Sequence, residues 1–178
     1  SFPTRRSSDL FRWAQSERSS SANPRHVWYR GPAAGSEPET QAMMRLADAR
    51  HFVASVSYHT MATTILAPYT VDDTQNPSPN EAWTVAEEIA ASCPAQVNGR
   101  HYPVVRNIYS VDGVDQDWLR AAHGTVALLV EGALHNPADA DERTQSVVLN
   151  RCTWQGLFER TLGGPSVYGT VLGSGRWT

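Results

Sequence analysis

Two periods of apolar residues alternate along this chain, and the switches between them mark out its elements. Met43, Leu46 and Ala47 fall at helical spacing after Ser36-Glu37-Pro38-Glu39. In that opening Ser36 is placed to cap and Glu39 to reach back, with Pro38 accommodated in the first turn. The apolar run Phe52 to Ser57 predicts a buried strand. Thr70 to Asn80 holds Asp, Asn and Pro and predicts a loop, as does the Ser-, Pro- and Gly-rich stretch Ser20 to Gly35. Ala82, Val85, Ala86, Ile89, Ala90 and Cys93 recur at i, i+3, i+4, i+7, i+8 and i+11, the signature of an amphipathic helix. Pro103 to Ile108 predicts a short strand. Asp117 is expected to cap a short helix that runs through His123 and ends at Gly124. Val126 to Val130 predicts a second buried strand. Asn136 to Glu142 reads as a polar loop, and Thr144 to Leu162 as a helix broken by Gly163-Gly164-Pro165. Helices and strands alternate, which favours an α/β layered fold.

Ser1 to Leu10 has no apolar period and no initiating Met, and it resembles a translated sequencing adapter. It is set aside from fold reasoning, with the chain's own beginning expected to be missing. The other 168 residues suit one domain, or most of one. They carry 13 basic and 17 acidic residues, net −4. Every basic residue is Arg, scattered and not clustered, so no nucleic-acid surface is implied. No apolar run approaches the roughly 20 residues that span a bilayer. Cys93 and Cys152 suit either a disulfide in an exported protein or two buried thiols.

Candidate chemistry gathers where the apolar runs end. His59 closes one run and Glu131 the other. In open α/β sheets the binding crevice lies at the carboxyl ends of strands. Tyr109 stands between them in Asn107 to Gly113, a loop-like stretch able to move. Each has a plainer reading: a structural histidine, a salt-bridged glutamate, a packed tyrosine. The other histidines show no metal spacing, and Asp72 and Asp73 suit a solvated loop.

Several segments in order resemble the zinc metallocarboxypeptidases of the carboxypeptidase A type. Trp28-Tyr29-Arg30-Gly31-Pro32 with Ser36-Glu37-Pro38-Glu39-Thr40 is similar to the segment before the family's third zinc ligand. Ser57-Tyr58-His59-Thr60, followed by Ala67-Pro68-Tyr69, is similar to the ligand strand and its Pro-Tyr loop. Ile108-Tyr109, Gly113 and Gln116-Asp117-Trp118 resemble the mobile tyrosine loop. Glu131 lies 22 residues after Tyr109, where the family keeps its catalytic glutamate. The resemblance runs from about Phe11 to Pro137.

It implies a three-layer α/β/α fold with a mixed sheet, and a zinc-dependent peptidase that removes C-terminal residues from peptides. His59 becomes a zinc ligand, Glu131 the general base and Tyr109 a phenol closing over substrate. Gln116 and Thr70 fall where the family binds the substrate's side chain. Gln116 is neither acidic nor aliphatic, and Thr70 stands where one branch places an Asp, so a preference for Lys or Arg is not implied, unless Asp72 reaches in. The family's His-x-x-Glu ligand pair and its carboxylate-binding Asn-Arg are not in this sequence and are expected upstream. The expected organisation is thus a catalytic-domain portion at 11–163 and, from 164–178, the start of a β-sandwich, suggested by Val167 to Gly173. The family reading implies a secreted protein with peptide or protein C-termini as substrate. A cell-wall peptide amidase, a deacylase on the same scaffold and a peptide-binding pseudo-enzyme remain as alternatives.

Overall fold

The computed structural model describes residues 11–15, 20–94 and 99–164. The expected adapter stretch and the expected β-sandwich strand lie outside them, apart from Gly164. In chain order the elements are α1 (Pro38–Arg50), β1 (Ala54–His59), β2 (Ala62–Leu66), α2 (Glu81–Ser92), β3 (Val104–Val105), α3 (Asp115–His123), β4 (Val126–Ala133) and α4 (Ala140–Gly163).

The four strands form one mixed sheet in the order β1-β4-β2-β3. β1 runs parallel to β4, β2 antiparallel to β4, and β3 parallel to β2. β4 therefore lies between two strands adjacent in sequence. After His59 the chain needs only Thr60 and Met61 to cross from one side of β4 to the other. Three Cα–Cα steps span at most about 11 Å, enough for the two strand spacings of about 4.8 Å each.

Alternation along β4 divides the core. Leu128 and Val130 face a cluster built with Val85, Ala86 and Ile89 of α2 and Leu157 of α4. Ala127 faces the opposite cluster, with Met44 and Ala47 of α1 and Trp118 and Leu119 of α3. The sheet is the middle of three layers, as the resemblance implies.

The departures from expectation have local causes. β1 ends two residues later than expected, because Ser57, Tyr58 and His59 continue pairing with Leu129, Val130 and Glu131. Glu131 likewise lies within its strand, which runs on to Ala133. β2 has no counterpart among the expected elements: its two threonines interrupt a five-residue segment too short to show a period. Only Val104 and Val105 pair in the expected strand 103–108, because Arg106 and Asn107 turn their side chains to loop carbonyls. Ser36 does not cap α1. Glu37 holds the cap position without a side-chain cap bond, and the Ser36 hydroxyl donates to Glu37 Oε1 at 2.9 Å. α3 starts at Asp115, so Asp117 lies in its first turn and not at its cap. α4 starts inside the expected loop, because Asp139 Oδ1 accepts from the amides of Asp141 and Glu142, both at 2.9 Å. Cys93 and Cys152 form a disulfide that ties the end of α2 to α4.

Candidate functional site

His59 and Glu131 are direct register partners on the parallel strands β1 and β4. Residues paired in this way point to the same face of a sheet. Their face is that of Ala127, the side covered further back by α1 and α3. On the other flank of β4, Thr64 of β2 is the partner of Glu131. Imidazole, carboxylate and hydroxyl thus form a row across three strands, just beyond the covered part of the sheet. His59 is exposed and Glu131 half-buried. Glu131 Oε2 and Thr64 Oγ1 are both buried with no hydrogen-bond partner among the described residues. An orphaned buried oxygen costs about 1–3 kcal/mol, so each of them favours a ligand, substrate or water that supplies a hydrogen bond.

Glu131 is held from behind. A Cβ on Gly132 would meet Asn150 Nδ2 and Oδ1 at 2.7 Å, so any larger residue there would have to displace the Asn150 side chain. Asn150 of α4 donates to the Gly132 carbonyl at 3.2 Å, and its Oδ1 accepts from the Tyr102 hydroxyl at 2.9 Å. A groove of about 440 Å³ reaches His59 from this side, lined also by Tyr58, Thr60, Asn136, Asn150 and Trp154.

The remaining expected site residues lie on two linked loops and α3. Tyr109 is 65% exposed. The chain on either side of it is fastened: Asn107 Nδ2 donates to the Thr70 carbonyl at 2.7 Å, and the Asp72 amide donates to Ser110 Oγ at 3.3 Å. Thr70 is buried, and its amide and hydroxyl both donate to Asp117, the hydroxyl at 2.9 Å from Oδ2. Gln116 is buried beside Asp117 in sequence, and its Oε1 has no hydrogen-bond partner among the described residues. Burial pushes the Asp117 carboxyl up to about 6, against the hydrogen bonds from Thr70 and Val71 and the nearby Arg106 charge. Asp72 accepts from Asn107 Nδ2 at 2.9 Å through its carboxylate. His59 and Glu131 are brought together. Tyr109, Gln116 and Thr70 share no described cavity with them.

Thr64 is the site residue that sequence reasoning missed. Its signal was the alternation Ala62, Thr64, Leu66, visible only once this segment is known to be a strand. Asn150 was missed because the helix holding it was not linked to the strand end at Gly132.

A zinc site needs three protein ligands with an open fourth position. Among the described residues no group of three or more His, Cys, Asp or Glu is placed to hold a metal. The described residues alone therefore do not fit zinc. No helix among them is long and apolar enough to cross a membrane.

A profile of the zinc carboxypeptidase family matches residues 6–136. No curated protein sequence matches the chain. Among solved structures, the fold is similar to bovine thrombin-activatable fibrinolysis inhibitor in complex with tick carboxypeptidase inhibitor. That likeness has a TM-score of 0.62 and 18% identity, and covers 87% of this chain and 58% of that one. A second structure of thrombin-activatable fibrinolysis inhibitor gives a TM-score of 0.59 at 20% identity, over 86% of this chain and 40% of that one. The three-layer fold with its mixed sheet is that of these carboxypeptidase-like neighbours. The chain belongs to the zinc carboxypeptidase family. It spans little more than half of the first solved relative and less than half of the second.

Proposed function

We propose that these residues form part of the catalytic domain of a zinc-dependent carboxypeptidase that releases C-terminal residues from peptides. The observation that supports this best is the pairing of His59 with Glu131, whose Oε2 is buried and has no hydrogen-bond partner among the described residues. In this reading Glu131 takes the proton from an attacking water and delivers it to the leaving amine. His59 is one zinc ligand, and a polypeptide that also carries the family's His-x-x-Glu pair supplies the others. Tyr109 contacts bound substrate from its loop, and Gln116 and Thr70 bound the site for the C-terminal side chain. The disulfide between Cys93 and Cys152 favours an oxidising compartment, hence a secreted protein.

Glu131→Gln in that longer polypeptide separates the base from the ligand. The change removes the proton acceptor and preserves shape. General-base catalysis is worth roughly 10² to 10⁴-fold. The expected result is a fall in kcat of at least about 100-fold with zinc content unchanged, measured on a blocked dipeptide. Retention of more than about a tenth of the activity would show that Glu131 is not the base.

A further inference from the structure

Two loops meet over α3. The first, from Tyr69 to Asn76, follows β2, and the second, from Arg106 to Val114, holds Tyr109. The side chains that fasten one to the other nearly all reach backbone atoms. Arg106 donates through Nε to the Tyr69 carbonyl at 3.1 Å and through Nη2 to the Val71 carbonyl at 2.8 Å, and also to the Thr74 carbonyl. Asn107 donates to the Thr70 carbonyl, and the Asp72 amide donates to Ser110 Oγ at 3.3 Å. Beneath this lattice lies one carboxylate with no exposure at all, Asp117. It accepts from the Thr70 amide at 2.9 and 3.0 Å and from the Thr70 hydroxyl at 2.9 Å, and Thr70 is tied in turn to the second loop by its carbonyl, which accepts from Asn107 Nδ2 at 2.7 Å.

We propose that Asp117 is the positioning residue of this site: through Thr70 it fixes both loops to α3 as one unit, so that the stretch holding Tyr109 opens only together with the stretch holding Thr70. The functional meaning of that coupling rests on the reading above, in which Tyr109 and Gln116 face substrate. The coupling itself does not.

The charge of Asp117 gives the coupling a pH dependence whose sign is fixed. Its carboxyl is raised to about 6 when closed, chiefly by burial. On opening it returns toward the ordinary carboxylate value of about 3.9. The closed state therefore binds the proton more tightly, and acid favours closure. Protection is greatest below about pH 4 and weakens as pH rises through about 6. Arg106, from the end of β3, opposes this by favouring the carboxylate. The other charged groups on the two loops and α3 are Asp72, bound by Asn107, Asp73, paired with Arg12, Asp112 and Asp115 before and at the start of α3, and, in its last turn, Arg120, paired with Glu81, and His123, beside Asp48.

Amide hydrogen exchange on the 178-residue chain tests this without substrate. Rates are corrected for intrinsic exchange and followed from pH 4.5 to 7.5 in peptides spanning 66–76 and 104–114, with α2 as control. In the wild type both peptides are expected to lose protection together as pH rises, by about tenfold or more, given a shift near two pH units at about tenfold each. Asp117→Asn is neutral and of the same shape, so it should keep the loops closed and flatten the pH dependence in both peptides. Asp117→Ala should raise exchange in both at every pH while α2 stays protected. Loss of protection confined to 66–76 overturns the coupling. So does a wild-type pH dependence that Asp117→Asn leaves intact, and this second comparison decides the matter if Asp117→Ala does not fold. A peptidase assay that failed would leave these outcomes untouched.

Discussion

If Gln116 bounds the side-chain site, as proposed above, its chemistry limits which substrates that site accepts. Gln116 is buried beside Asp117, and its Oε1 has no partner among the described residues; an acceptor left in that state costs about 1–3 kcal/mol. A substrate side chain with an N–H or O–H to offer recovers that loss, and an aliphatic one is tolerated. A guanidinium or ammonium needs more, because a buried charge without a carboxylate partner is penalised by several kcal/mol. Thr70 carries no charge, and Asp117 behind it is already bound to Thr70. Asp72 is the nearby alternative, and Asn107 holds it at 2.9 Å. Substrates ending in Gln, Leu or Phe are therefore expected to show higher kcat/KM than matched substrates ending in Arg. A preference for Arg of about tenfold (about 1.4 kcal/mol) would exclude this pocket chemistry. Its loss in Asp72→Asn would then identify the carboxylate responsible.

At the scale of elements, what was legible followed from period. α2 was readable to within a residue, because six apolar positions repeat on one face and all six are buried in the structure. β4 was readable because its run is continuous and β-branched or aliphatic. β2 was not, and with it went Thr64 and the sheet order, since no local signal says that β4 will insert between β1 and β2. Pairing between strands far apart in sequence is decided by the assembled core. The two cysteines illustrate the same limit. Spacing left a disulfide and two thiols equally open, and only the packing of α2 on α4 brings their Cα atoms within 5.2 Å. The bridge closes a loop of 59 residues, and for loops of this order chain entropy predicts about 4 kcal/mol of stabilisation. Reduction, or the double change Cys93→Ala with Cys152→Ala, is expected to lower Tm by roughly 10 °C, at about 2–4 °C per kcal/mol. Identical melting curves with and without reductant would show that α2 and α4 hold together without it.

At the scale of the whole molecule, the site is a row of groups on a well-formed sheet, with too few ligands for a metal among the described residues. The three layers and the clamp of Asn150 on Gly132 give Glu131 a fixed backbone, and fixed geometry is what a general base requires. Zinc makes a different demand. Tetrahedral coordination with one open position takes three protein donors, and metal affinity is the joint free energy of those donors held together. In the proposed reading His59 meets one third of that demand, and its partner across the sheet, Glu131, is reserved for proton transfer. The 178-residue chain is therefore expected to fold and to remain without a specific zinc ion. Calorimetric titration should give no saturable site tighter than about micromolar, far weaker than the roughly 10–16 kcal/mol of structural zinc sites, and blocked dipeptides should not be hydrolysed. Stoichiometric zinc uptake that His59→Ala abolishes would mean that donors outside the described residues complete the site within this chain. Turnover that Glu131→Gln abolishes would extend that conclusion from the metal to the whole catalytic apparatus.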